Sequence, residues 1–152
     1  MHYSIQPADP KDYPELVDIW EASVRKTHHF LKESDLLYFK PLILNEYFYA
    51  VDLHCLKDQE AIVGFLGTKD GKIEMLFVLP AYMGKGAGKT LLLYAINSLN
   101  ATLVDVNEQN SSAVGFYQHM GFETINRSDL DGLGKPYPML HMQLSKTLKQ
   151  KR

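Results

Sequence analysis

The sequence predicts a mixed α/β fold: a central, mostly antiparallel sheet of about seven strands flanked by about four helices. Three observations predict it. Segments of alternating or continuous apolar character cluster between residues 47 and 79 and return after 102, as strands of a half-buried sheet do. Segments with apolar residues three and four apart stand before, between and after them. The 152 residues, 45% hydrophobic and 22% charged, are enough for one core, and no repeat, linker or low-complexity tract divides them, so residues 1–152 are read as a single domain.

Tyr3 to Gln6 alternates as a short first strand. Asp9-Pro10 then supplies a helix cap followed by proline at the first helical position, and Leu16, Ile19, Trp20 and Val24 continue with helical spacing. A second helix is expected within residues 27 to 45, with Ser34 as its cap and Pro41 as its break. From Glu46 the pattern turns to strands, Tyr47 to Leu53, Ala61 to Thr68 and Lys72 to Leu79, which should form an antiparallel meander. Leu91, Leu92, Ala95, Ile96 and Leu99 mark a helix, and Thr102 to Val106 a short buried strand. Together with the preceding strand they should form a right-handed parallel unit. Asn110 opens the last helix, with Ala113, Phe116, Tyr117 and Met120 on one face and Gly121 placed to end it. Phe122 to Ile125 and Met139 to Leu144 read as closing strands, and residues 146–152 as a frayed basic terminus.

A net charge of -2 and a pI near 6.3 give no long-range attraction for nucleic acid or anionic lipid, so the expected partner is a small molecule or peptide. The single Cys55 has no internal disulfide partner, no His and Cys spacing suggests a metal site, and a half-buried strand thiol is expected. Asp9, Asp12, Glu15 and Asp18 come early in the chain, without a basic region and apolar run of signal type, so a cytoplasmic enzyme is expected.

The most informative segment is Met83-Gly84-Lys85-Gly86-Ala87-Gly88, which joins a strand to a helix whose first turn carries Lys89 and Thr90. Glycine lets the backbone approach a ligand, and the free N–H groups of a first helical turn bind phosphate oxygens. A plain tight connection would also use glycines. A Walker-type loop needs glycine five positions before the Gly88-Lys89-Thr90 triplet, where Met83 stands, and a dinucleotide fingerprint needs glycine where Lys89 stands.

A second motif follows about twenty residues later, Asn110-Ser111-Ser112-Ala113-Val114-Gly115-Phe116-Tyr117-Gln118-His119-Met120-Gly121-Phe122. Together the two segments resemble the GNAT superfamily of N-acetyltransferases. Its pattern pairs Arg/Gln-x-x-Gly-x-Gly/Ala with Asn-x-x-Ala-x-x-Phe-Tyr-x-x-x-Gly-Phe. The element order matches over nearly the whole chain. The segments Thr27-His28-His29-Phe30-Leu31 and Gly134-Lys135-Pro136-Tyr137-Pro138 further look like small stand-alone bacterial members of the YjaB-like kind. One position departs: Met83 stands where the superfamily usually has arginine or glutamine, and a thioether bonds phosphate weakly.

The resemblance implies direct transfer of acetyl from acetyl-CoA to a primary amine, on a small molecule, peptide or protein. In that scheme residues 83 to 90 hold the pyrophosphate, Leu76, Phe77 and Val78 offer backbone groups to the pantetheine arm and acetyl group, and Asn110 contacts the pantetheine. Asn110 is also explained as a helix cap. Tyr117 protonates the leaving thiolate, or simply packs on the apolar face of its helix. Glu74 and His28 are candidate bases for the amine. Glu74 shares a face with Leu76 and Val78, a costly place for a carboxylate without a task, while His28 has a suitable intrinsic pKa. Tyr137 is a candidate pocket wall, and Trp20 and Phe30 are read as core. A non-catalytic acyl-CoA-binding regulator is the alternative function. A monomer or homodimer is expected.

Overall fold

The computed structural model describes residues 2–145; the expected basic terminus at 146–152 lies outside them. The chain divides into two compact units, Met1–Ala101 and Thr102–Arg152. Among the described residues, seven strands and five helices make the mixed α/β class that the sequence predicts.

In the first unit β1 (Tyr3–Pro7), β2 (Asp52–Asp58), β3 (Ala61–Lys69) and β4 (Lys72–Val78) pair in chain order, all antiparallel, through registers such as Ile5↔Leu56, Cys55↔Phe65 and Phe65↔Phe77. Asp9 caps a 3-10 turn, Pro10–Asp12, through a capping box with Asp12, and α1 (Tyr13–Thr27) follows. Its stripe of Leu16, Val17, Ile19, Trp20 and Val24 is buried with Phe48, Phe65 and, partly, Met75 and Phe77. Each such large side chain removed from water stabilises by about 1.5–3 kcal/mol. The other face of the sheet meets α4 (Ala87–Leu99). A Cβ on Gly64 would lie 3.4 Å from both Leu91 and Val78 and 2.9 Å from the Phe77 carbonyl, so glycine is required there for space. Cys55 is fully buried on β2, and desolvation pushes its thiol up to about 11, which makes it an inert packing group.

Residues 33 to 50 differ from the sequence expectation. There α2 (Glu33–Leu42) starts after Lys32 rather than at Ser34 and runs through Pro41, and a π-helical turn, Ile43–Tyr47, leads into the single turn α3 (Phe48–Ala50). The expected strand Tyr47 to Leu53 is therefore mostly helical, and β2 begins at Asp52. The wider π turn places Ile43 and Phe48, five apart, in one core, a spacing that a 3.6-residue period hides.

In the second unit β5 (Leu103–Asn107) pairs antiparallel with β7 (Met139–Leu144), which pairs antiparallel with β6 (Phe122–Ser128). Helix α5 (Ser111–His119) precedes β6, and Gly121 takes φ +99° to turn the chain between them. Val104, Val106, Tyr117, Phe122, Met142 and Leu144 are the buried residues that close this unit, and Tyr137 is buried with only 5% of its surface exposed.

Candidate functional site

The glycine turn is built by the backbone. After β4 the chain makes a 3-10 turn, Pro80–Tyr82, in which the N–H groups of Tyr82 and Met83 donate to the carbonyls of Leu79 (2.9 Å) and Pro80 (3.2 Å). Gly84 and Gly86 then take φ of +76° and +82°, the left-handed region that side chains rarely adopt. A Cβ at either would meet nothing within 4 Å, so conformation and open approach, not crowding, require glycine there. Gly86 caps α4 without a side chain, and the first helical bond is Thr90 N–H to the Gly86 carbonyl at 3.0 Å, joined by the Thr90 hydroxyl at 2.8 Å. The N–H groups of Ala87, Gly88 and Lys89 precede that bond, as the unspent donors of a helix start do. Lys85 and Lys89 stand exposed beside them, and Met83 is half-buried.

Three residues that sequence reasoning did not single out anchor this turn. The Tyr3 hydroxyl donates to the Lys85 carbonyl at 3.0 Å, and the Tyr82 hydroxyl donates to Asp58 at 2.8 Å. That bond raises the Tyr82 phenol pKa above its ordinary value. Tyr3 lies 82 residues from Lys85, and no local pattern signals such a contact.

Within β4, Leu76, Phe77 and Val78 pair with Leu66, Phe65 and Gly64, so alternate peptide groups of this stretch turn away from β3. Glu74 is the extra residue of a bulge: Met75 faces Gly67 while Ile73 faces Thr68. It is exposed, which corrects the sequence argument. The bulge breaks the alternation that put Glu74 on the face of Leu76 and Val78, and its carboxylate carries no burial cost.

His28 closes α1, its backbone N–H donating to the Val24 carbonyl at 2.7 Å. Its Nδ1 lies 2.7 Å from the Thr27 hydroxyl, whose only proton is given to the Ser23 carbonyl at 2.9 Å. The imidazole must therefore donate from Nδ1, which leaves the Nε2 lone pair as acceptor. Burial, assisted by neighbouring His29, lowers its pKa from 6.5 to about 4, so the ring is neutral at physiological pH.

In the second unit the Asn110 side-chain oxygen accepts from the Ala113 N–H at 3.2 Å, the expected cap, which leaves its amide NH2 for another partner. Tyr117 is 7% exposed, with its ring edge-on to Phe116 and Phe122 at centroid distances of 5.1 and 5.6 Å. Burial raises its phenol pKa well above the ordinary value, so it is protonated throughout the neutral range. Among the described residues no group of three or more His, Cys, Asp or Glu side chains could hold a metal ion, and no helix is long and apolar enough to cross a membrane.

Comparison with known proteins bears on the geometry of both units. Residues 38–145 match the family described as Acetyltransferase (GNAT) domain. The chain is 35% identical over 142 residues to the peptidyl-lysine N-acetyltransferase YjaB of Salmonella typhimurium, covering 93% of this chain and 98% of that one. The solution structure of apo YjaB from Escherichia coli superposes with a TM-score of 0.85 at 35% identity, over 94% of this chain and 97% of that one. The PaiA N-acetyltransferase of Thermoplasma acidophilum, solved with coenzyme A, shares the fold at a TM-score of 0.73 and 20% identity, over 94% of this chain and 99% of that one. The chain is thus an acetyltransferase and belongs to the GNAT family.

Proposed function

We propose that the chain transfers acetyl directly from acetyl-CoA to the side-chain amine of a peptidyl lysine. The observation that carries this reading is the turn at Gly84 and Gly86, left-handed at both glycines and opening α4 with uncapped N–H groups, in a chain 35% identical to a peptidyl-lysine N-acetyltransferase over nearly its full length. Those N–H groups and Lys85 and Lys89 take the pyrophosphate of the coenzyme. Backbone groups of Leu76, Phe77 and Val78 that turn away from β3 pair with the pantetheine arm and acetyl group, and the free amide of Asn110 makes a further contact.

The neutral amine attacks the thioester carbonyl, an oxyanion forms and is met by a β4 backbone N–H, and the C–S bond breaks. Tyr117 gives its proton to the sulfur as that bond breaks, the acylated nitrogen sheds its extra proton to solvent to leave the amide, and Tyr117 is reprotonated from solvent. Burial keeps the phenol protonated at neutral pH, so the proton is on hand when the thiolate departs. A lysine amine is cationic at neutral pH and must lose a proton first. Burial lowers the His28 pKa to about 4, which makes its imidazole a weak proton acceptor and counts against the sequence argument from its intrinsic pKa. Glu74, an exposed carboxylate in exchange with water, is the better-supported route by which the proton leaves to solvent.

Free-thiol release from acetyl-CoA, measured over lysine peptides, peptides with a free N-terminus, polyamines and amino acids, tests this function. Turnover confined to lysine peptides is expected, with acetyl mapped to the lysine side chain by mass spectrometry. Turnover confined to polyamines or amino acids would replace the acceptor class and leave the cofactor assignment standing.

A further inference from the structure

Outside these elements, the second unit contains a hydrogen-bonded chain that acetyl transfer does not use. Asp105 on β5 and His141 on β7 are directly paired in register, and the carboxylate lies 2.7 Å from the imidazole Nδ1. The Nε2 of the same ring lies 2.6 Å from the hydroxyl of Ser128, the last residue of β6. Three strands thus bring aspartate, histidine and serine into a line, with His141 on the middle strand.

With the ring neutral, the connectivity has one chemical sense. A carboxylate at Nδ1 holds the ring proton there, Nε2 is left as the acceptor, and the serine proton points at it. The hydroxyl is then poised to lose its proton as its oxygen attacks a carbonyl. Here the side chains of His141 and Asp105 remain 30% and 29% exposed, so solvent and a small reagent can reach them. Among these three strands β6 is outermost, so its outer backbone N–H groups are donors of the kind an oxyanion needs.

We propose that Ser128, with His141 and Asp105, is a second nucleophilic centre that accepts acyl groups from small activated esters and thioesters and releases them to water. In the first step a bond forms between Ser128 Oγ and the carbonyl carbon, the hydroxyl proton passes to His141 Nε2, and the bond to the alcohol or thiol leaving group breaks. The leaving group takes the proton from the imidazolium, which Asp105 stabilises meanwhile. In the second step water gives a proton to Nε2 and attacks the Ser128 ester, which frees the carboxylic acid and restores the hydroxyl.

The test uses p-nitrophenyl acetate with the full chain and no coenzyme. Expected are release of p-nitrophenolate and an intact-mass gain of one acetyl group, mapped to Ser128 by peptide mass spectrometry. Ser128→Ala should abolish the label while leaving thiol release from acetyl-CoA with a lysine peptide unchanged. Loss of that activity as well would assign Ser128 to the acetyl-transfer site and overturn an independent centre. His141→Gln should slow acylation by roughly 100- to 10,000-fold, and Asp105→Asn should slow it by less than His141→Gln. Ser128→Cys should keep an acylable nucleophile, which guards against variants that fail to fold. Wild-type protein that acquires no acetyl at Ser128, or a label that persists in Ser128→Ala, overturns the proposal, and either result leaves the acetyl-CoA reading untouched.

Discussion

The glycine turn of the first unit and the helix start of the second are two ways of building a contact. In the proposed function the chemistry at residues 83 to 90 lies in the backbone: left-handed glycines, uncapped N–H groups and a carbonyl pinned by Tyr3. At residues 110 to 117 it lies in two side chains, the Asn110 amide and the Tyr117 hydroxyl. A backbone site of that kind tolerates a change of side chain, such as Met83 where the GNAT pattern usually has arginine or glutamine. A side-chain site fails with the loss of one oxygen.

The largest expected effect therefore belongs to Tyr117. Tyr117→Phe keeps the ring that packs on Phe116 and Phe122 and removes the proton donor, so kcat should fall by about 100-fold. Acetyl-CoA affinity by calorimetry and the thermal midpoint should stay near the wild-type values. Turnover equal to wild type would reduce Tyr117 to a packing residue and erase the contrast between the two regions.

Burial acts on an ionisable group in each unit, raising Tyr117 and lowering His28, and both are thereby held neutral. For His28 this has a consequence for stability. The folded pKa of about 4 lies below the ordinary 6.5, so the unfolded chain binds the extra proton between these values. Stability from the neutral ring is fully present above pH 6.5 and is lost as the pH falls toward 4. With partial exposure discounted, the loss is of order 2 kcal/mol. His54, lowered in the same direction by burial, adds to the wild-type slope. Denaturant midpoints at pH of about 7 and about 4.5 should converge more closely in His28→Gln than in wild type. Equal slopes in the two proteins would mean that His28 charges without cost.

The same contrast explains what could be read from the chain alone. The turn and α5 were legible because each is a contiguous run whose glycines, cap and apolar spacing have local causes. Asp9, Asn110 and Gly121 all occupy the cap or turn positions that their chemistry suggests. Readings that depend on counting through an irregularity did not survive. The π turn at Ile43–Tyr47 shifts the helical period by one residue and hides Phe48 in what looks like a strand. The bulge at Glu74 inverts its face. Pairings such as Tyr3 with Lys85, where a strand meets a distant turn, or Asp105 with His141 and Ser128, set by strand register, have no signature in any short window.

The smallest effects are expected within the turn, and their signs decide whether the backbone really dominates there. Gly86→Val forces a β-branched residue to φ +82°, at a cost of about 1–2 kcal/mol, and pushes the start of α4 away from the geometry that presents its N–H groups. Acetyl-CoA affinity should fall by roughly 10-fold, with kcat nearly unchanged at saturation. Met83→Arg acts the other way. Residue 83 has ordinary extended backbone at φ -67° and ψ 138°, so the substitution introduces no strain, and a guanidinium there supplies the charge-assisted bonds a thioether lacks. Because the site is open to water, the gain should be about 3-fold in affinity, weakening with added salt. A gain much larger than that would show that the glycine N–H groups hold the pyrophosphate only weakly. Loss of affinity would mean that the half-buried methionine packs against the coenzyme, so that the turn, like α5, works through a side chain.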